Sequence, residues 1–265
     1  MNVFRMGMKD LMRRVFSGAA VWLFALLATG SALPTVAADS ANQATFSTAA
    51  EAGRALFMAV SQHDEAALTR ILASGNELLQ SDDALQDRLD REQFAQKYEQ
   101  MHRFTRAGDG VALLYVGAEN WPFPMPLVAE NGQWRFDADA GREEIRLRRI
   151  GENEINAIAL CQDLAARAGY SQAAKSNPDA LTAALPNAEN GDPGGPVRGY
   201  YFRTVRGPGG SVTIIAYPAE YRSSGVMTFI VNADGVVRQK DLGWDTAKAA
   251  RAISGATDAT WLDGS

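Results

Sequence analysis

The sequence predicts an α+β protein made of two units, and three patterns indicate this. Apolar residues recur three and four positions apart over 48–101, as on amphipathic helices. Short apolar runs separated by glycine, proline, asparagine and aspartate occur over 102–137 and 199–243, as in antiparallel strands. The helical spacing returns between those two stretches. We therefore expect N-terminal helices packed on a curved antiparallel sheet, followed by a C-terminal helix packed on a four-stranded antiparallel meander.

The first 38 residues are predicted to be a signal peptide. Basic residues precede an apolar segment at 18–33, and Val36 and Ala38 satisfy the small-residue rule for cleavage after Ala38. The apolar segment is shorter than the roughly 20 residues of a membrane span, so cleavage is favoured over an uncleaved anchor. Residues 39–47 are predicted to be the disordered start of the mature chain. We expect a periplasmic or secreted protein with no membrane span after cleavage.

The mature chain is expected to be acidic. The full sequence has 26 basic and 31 acidic residues. The first 38 residues contain four of the basic residues and one acidic residue, which leaves 22 and 30 and a formal net charge of −8. Because the basic residues are scattered along an acidic chain, binding to a nucleic-acid backbone is not predicted. The expected partner is an envelope protein or a small ligand.

Residues 48–140 are predicted to form the first unit. Thr48 and Glu51 match the capping-box pattern that begins a helix, and Asp64 can cap a second helix. A third, more charged helix follows. The spacing then changes to period two, and Asn131-Gly132 predicts a hairpin turn between two strands of the sheet.

Residues 141–265 are predicted to form the second unit. Helical spacing over 152–168 places Cys161 among apolar residues, so Cys161 is predicted to be a buried side chain rather than a nucleophile. Gly151 is predicted to separate this helix from a charged helix before it. Residues 171–198, rich in proline, glycine and asparagine, are predicted to be a linker to the meander.

Catalytic residues, metal ligands and cofactors are not predicted. His63 and His102 do not have the spacing of metal ligands. Residues 232–235 lack the alternating ligands and the distal glutamate of a calcium loop. Ser-Ser-Gly at 223–225 does not match the G-x-S-x-G pattern, and the glycines of 207–210 lack the Gly-Lys-Ser/Thr ending of a phosphate loop. Turns and loops account for all of these residues.

Two groups of aromatic residues are candidates for binding. The first group would line a cone between the sheet and the helices of the first unit, either as an open pocket or as filled core. Its members are Tyr115, Trp121, Phe123 and Trp134. The second group would form an interaction surface on the meander, although the face that each tyrosine occupies depends on the register of its strand. Its members are Tyr200, Tyr201, Tyr217 and Tyr221.

Several motifs occur in order along the mature chain. Among them are Trp121-Pro122-Phe123-Pro124, Gly151-Glu152-Asn153-Glu154, Gly199-Tyr200-Tyr201-Phe202 and Ser224-Gly225-Val226-Met227. In these motifs the chain resembles a bacterial family of exported proteins known as domain of unknown function twenty-nine fifty. The resemblance implies an exported bacterial protein and does not imply an activity. The linker at 171–198 is shorter than the corresponding stretch of the family, so a family site in that stretch would be lost here.

Two fold analogies accompany this resemblance. Residues 48–137 resemble the cone-shaped nuclear-transport-factor-two-like fold, and residues 152–243 resemble the soluble part of type IV pilins. Since a fold does not determine an activity, three hypotheses of function follow. The leading one is a non-enzymatic envelope protein that acts as an interaction or assembly module. One alternative is a small-ligand binding protein that uses the aromatic cone. The other is an envelope hydrolase that uses a serine or a carboxylate, with His63 or His102 within hydrogen-bond reach of it.

Overall fold

A computed structural model describes residues 42–80, 83–170, 195–206, 212–231, 236–254 and 258–264. The chain divides into two compact units, with the division between Ile145 and Arg146. The predicted signal peptide, most of the predicted linker and two turns of the meander lie outside the described residues. Among the helices that are described, none combines the length and the apolar character that a membrane crossing requires.

The described part of the first unit contains helices followed by an antiparallel sheet. The helices are α1 (Ala49–Ser61), α2 (Glu65–Leu72), α3 (Gly75–Leu78) and α4 (Ala84–Gln100). The strands are β1 (His102–Gly108), β2 (Val111–Val116), β3 (Trp121–Pro122), β4 (Leu127–Glu130) and β5 (Gln133–Phe136). The strand order is β1-β2-β4-β5, and β3 also pairs with β2. The α+β class predicted from the sequence is confirmed.

Local signals in the first unit act as predicted. The Thr48 hydroxyl accepts a hydrogen bond from the Glu51 backbone N–H at 3.1 Å, which caps α1. Asp64 caps α2 by accepting from the third residue along. Asn131 and Gly132 both have positive φ, at 52° and 77°, and join β4 to β5. This is the backbone conformation that a two-residue hairpin turn requires.

Ala73, the capping residue directly after α2, has a strained backbone with φ 49° and ψ −132°. A residue with a Cβ rarely adopts this backbone conformation, and the strain costs about 1–3 kcal/mol. Ala73→Gly is therefore expected to raise the free energy of unfolding by about 1 kcal/mol, after the greater entropy of an unfolded glycine is subtracted. Urea denaturation measures the change. The matched control Ala66→Gly, on the exposed face of α2, should lower the same free energy; a decrease for both variants would refute the strain.

The second unit has a meander that is covered on both faces. Its strands are β6 (Tyr200–Arg206), β7 (Val212–Pro218), β8 (Met227–Val231) and β9 (Val237–Asp241). These four pair antiparallel in chain order, and the short β10 (Leu262–Asp263) pairs with the outer edge of β9. The described part of this unit also contains the helices α5 (Ala138–Tyr170), within which the division between the units falls, and α6 (Thr246–Ala252).

α5 continues without interruption through Gly151, so the predicted break at Gly151 is wrong. A glycine inside a helix costs only about 1 kcal/mol relative to alanine. Buried residues on either side of Gly151, such as Ile150 and Ala157, fix the helix by packing. The cost of one glycine is smaller than the stabilisation from this buried face.

Neighbouring residues of the meander enter two different cores. One core contains Phe202 and Phe229 together with Cys161 of α5, and the other contains Ile215 and Ile230 together with residues of α6. Because successive side chains of a strand point to opposite faces, a sheet that is covered on both faces needs consecutive apolar residues. This explains the continuous apolar runs of β7 and β8.

Cys161 is fully buried in the second unit, as the sequence predicts. Burial raises the pKa of its thiol, so the reactive thiolate is not formed at neutral pH. We expect no reaction with Ellman's reagent in native buffer and full reaction in denaturant. The labelling rate in a urea series should follow the unfolding of the second unit. Rapid labelling of the native protein would show that the thiol is accessible and would contradict this placement.

A candidate binding site on the second unit

The two histidines do not form a catalytic arrangement. His63 is exposed between α1 and α2. His102 stacks on the ring of Tyr98 at 3.9 Å, and its Nδ1 lies 2.9 Å from the Tyr98 carbonyl oxygen, at which it donates a hydrogen bond. Within the described ranges, no three histidine, cysteine or acidic side chains are arranged to hold a metal ion.

The candidate pocket residues of the first unit do not converge on one cavity. Trp121 and Phe123 make an edge-to-face contact with ring centroids 6.4 Å apart. Trp134 packs against the same core. Buried residues alternate along β2, and Tyr115 stands between two of them, so its side chain lies on the opposite face of the strand. There the guanidinium of Arg103 lies 4.3 Å from the centroid of the Tyr115 ring. The structure therefore brings together three of the four residues and separates Tyr115 from them.

Phe123 lines an apolar cavity of about 20 Å³. A cavity of this volume holds about one water molecule, whereas small-molecule sites typically begin near 300 Å³. Its other walls are core side chains such as Leu56, Leu72 and Phe94. A ligand between these residues would have to displace packed core.

The four candidate surface tyrosines of the second unit do not lie on one common surface. Tyr200 and Tyr217 are fully buried, in the α5 core and the α6 core respectively. They are core residues and not part of a surface, because both faces of the meander are covered. Tyr201 is half-buried against Tyr217, with ring centroids 5.6 Å apart. Tyr221 is half-buried and belongs to an exposed cluster.

This cluster consists of Tyr221, Arg222 and Trp244, and we call it the Trp244 cluster. The Trp244 side chain is 78% exposed. The edge of one ring faces the other, with centroids of Tyr221 and Trp244 5.0 Å apart and ring planes at 73°. The guanidinium of Arg222 lies 5.6 Å from the Tyr221 centroid and 5.7 Å from the Trp244 centroid. Trp244 and Arg222 are not among the binding residues predicted from the sequence.

Asp241 fixes the orientation of Tyr221. The Tyr221 hydroxyl donates a hydrogen bond to one carboxylate oxygen of Asp241 at 3.0 Å. The other carboxylate oxygen accepts from the Gly243 backbone N–H at 2.8 Å. Gly243 has a positive φ of 75°, which turns the chain from β9 towards Trp244. One carboxylate therefore connects the two segments that carry the aromatic rings.

Tyr221 and Arg222 lie in a loop between β7 and β8. Arg222 adopts the left-handed conformation, with φ 60°. Its backbone N–H donates to the Gly225 carbonyl at 2.7 Å, and Tyr221 forms an isolated bridge with Gly225. The loop is therefore a closed turn, and it directs both side chains towards Trp244.

Side chains of α5 hold this loop by hydrogen bonds to its backbone. Arg146 donates a hydrogen bond to the backbone carbonyl of Arg222. The Asn153 amide donates to the carbonyl of Ser224 at 2.8 Å. Positions that are seven apart lie on one face of a helix, so α5 presents both donors to the loop at once.

Glu154 binds the end of the same loop. One of its carboxylate oxygens accepts hydrogen bonds from the backbone N–H groups of Val226 and Met227, at 2.9 Å and 3.0 Å. Hydrogen bonds to a charged acceptor are stronger than those between neutral groups. Burial, together with the nearby Glu154 carboxylate, also raises the pKa of Tyr200. The Asn153-Glu154 motif of the sequence thus has a structural role, which is to hold the loop.

Gly225 allows the loop to approach the core. A Cβ at this position would lie 2.2 Å from the Tyr200 hydroxyl oxygen and 2.6 Å from its ring. That hydroxyl donates a hydrogen bond to the Met227 carbonyl at 2.9 Å. Tyr200 and Gly225 belong to two motifs that are distant in sequence, and this contact explains why tyrosine and glycine occur together.

Residues 43–186 and 170–263 match the model of a family described as "Protein of unknown function (DUF2950)". Because these two overlapping matches together span residues 43–263, the chain belongs to this family, as its motifs predict. Neither the curated proteins nor the solved structures gave a match. The analogies with nuclear-transport-factor-two-like proteins and with pilins stay predictions.

Proposed function

We propose that the protein is an exported, non-enzymatic binding module of the bacterial envelope, and that the Trp244 cluster is its contact surface. The observation that carries this proposal is the 78% exposure of Trp244. Tryptophan is usually largely buried, and an exposed large apolar ring costs free energy in water. A partner that covers this ring would remove its apolar surface from water and so offset that cost.

The composition of the cluster supports the same function. Tryptophan, tyrosine and arginine are the residues that most often dominate the free energy of binding at interfaces. The loop that carries two of them is fixed by hydrogen bonds from Asn153 and Glu154. A surface that is ordered before binding loses less conformational entropy when the partner arrives.

Export is the part of the proposal that rests on the first 38 residues. Cleavage after Ala38 would release a chain that begins at Asp39, and the envelope would then be the compartment of the partner. Sequencing of the N-terminus of the protein recovered from the periplasm or the medium checks this directly. A chain that is retained in the cytoplasm with its first residues intact would refute export.

Crosslinking in living cells tests the contact surface. A benzophenone analogue of phenylalanine at position 244 keeps a large aromatic group in the cluster and reacts with whatever covers it. The matched controls carry the analogue at Leu262 and at Leu85, which are 61% and 59% exposed. We expect a crosslinked adduct from position 244 and from neither control. Equal adducts from all three positions, or none from position 244, would refute the proposed surface.

A further inference from the structure

We infer that the ligand of the Trp244 cluster is a neutral carbohydrate chain, whose pyranose ring stacks on the indole. This inference rests on the proposed function, because it names the class of ligand for the same surface. Three observations support this inference. They are the flat exposed ring of Trp244, the polar groups around that ring, and the net charge of the chain.

The platform is flat and exposed. Trp244 presents an exposed ring, and the plane of the neighbouring Tyr221 ring lies at 73° to it. The neighbouring side chains are polar or charged and include Arg222, Asp241 and Asp245. Peptides usually bind along a groove with apolar pockets or along an open strand. A single ring with a polar border is better matched by a sugar, which has a flat C–H face and hydroxyl groups at its rim.

The hydrogen-bonding groups around the ring are complementary to that rim. In the part of the chain that the structure describes, the guanidinium of Arg222 forms no ion pair and the indole N–H of Trp244 has no acceptor. Both groups donate and neither accepts. Ring, hydroxyl and acetamido oxygens of a sugar can accept from them, while the Asp241 carboxylate can accept from a hydroxyl group.

The charge of the protein selects against anionic polymers. The full chain has a formal net charge of −5, and removal of the predicted signal peptide would make it more negative. A nucleic acid could also stack a base on Trp244, but the acidic chain would repel its phosphates. A neutral glycan has no such penalty, so the inference commits to this class.

Titration of the purified mature chain, labelled with nitrogen-15, tests the inference. The indole N–H signals of its tryptophans are followed while chitohexaose, cellohexaose or a proline-rich decapeptide is added. We expect a saturable shift of the Trp244 signal with at least one glycan and no shift with the peptide. Isothermal titration calorimetry with the same glycan then compares the variants. Trp244→Ala should weaken glycan binding at least tenfold, whereas Leu262→Ala, exposed elsewhere on the same unit, should leave it unchanged.

The other outcomes overturn the carbohydrate inference without deciding whether the Trp244 cluster is a contact surface. If the peptide shifts the Trp244 signal and the glycans do not, the ligand is a peptide and the contact surface still stands. If neither probe shifts that signal, or if glycan binding persists in Trp244→Ala, the carbohydrate inference is wrong. The crosslinking experiment at position 244 then decides separately whether the cluster is a contact surface at all.

Discussion

Gly225→Ala is expected to lower the free energy of unfolding of the second unit by about 3 kcal/mol. The new methyl group would lie 2.2 Å from the hydroxyl oxygen of Tyr200, which is fully buried and cannot move aside. Relief of this clash would also break the hydrogen bond from Tyr200 to the Met227 carbonyl. The labelling rate of Cys161 in a urea series measures the loss in this unit alone.

Two further variants make this prediction specific. Gly151→Ala is the matched control, since a Cβ there meets nothing within 4 Å; it should raise the stability by about 1 kcal/mol. Tyr200→Phe removes the closest clashing atom and leaves the ring carbons at 2.6 Å. Part of the clash is therefore relieved, and the double variant with Gly225→Ala should be more stable than the sum of the two single changes implies. Strict additivity of the two changes would contradict the contact between these residues.

Glu154→Ala is expected to lower the free energy of unfolding by about 2 kcal/mol. The change removes the acceptor of two backbone N–H groups, those of Val226 and Met227. Both amides should then exchange their hydrogen much faster with solvent, because the loop is no longer held at this end. Hydrogen exchange measured residue by residue checks this.

Glu154→Gln separates hydrogen bonding from charge. Glutamine keeps an acceptor oxygen at the same place, so the two amides should stay protected and the loss of stability should be smaller. Glu154→Ala should also weaken binding at the Trp244 cluster, because Tyr221 and Arg222 belong to the loop that Glu154 holds. Unchanged protection of the Val226 and Met227 amides in Glu154→Ala would contradict this role.

Features that depend on a few adjacent residues could be predicted from the sequence. Thr48, Asp64 and Asn131-Gly132 act through their own backbone neighbourhood, and the structure confirms each of them. Cys161 could be placed in a core because its apolar neighbours repeat at helical spacing. The family could be recognised for a similar reason, since short motifs in order are enough.

Features that depend on distant residues could not be predicted in this way. The faces of Tyr200 and Tyr217 follow from a meander that is covered on both sides, so neither residue shows the alternation that marks an exposed face. Gly151 lies inside a helix because residues on both sides of it pack, which outweighs its local preference. In both cases tertiary packing decides.

The exposure of Trp244 can be predicted from its neighbours in the sequence. It stands between Gly243 and Asp245, outside any apolar repeat, and such surroundings favour exposure. Its partners Tyr221 and Arg222 come from another loop, and only the fold brings them to it. The sequence therefore contains the signal for an exposed tryptophan but not the signal for the cluster.

Hydroxyl-radical footprinting of the intact envelope, compared with the purified mature chain, tests the contact surface most directly. It measures the solvent access of Trp244 without requiring the partner to be known. We predict that Trp244 is oxidised several times more slowly in the envelope than in the purified protein, while Leu262 is oxidised equally in both. Equal oxidation of Trp244 in the two samples would show that nothing covers the cluster and would contradict the proposed function.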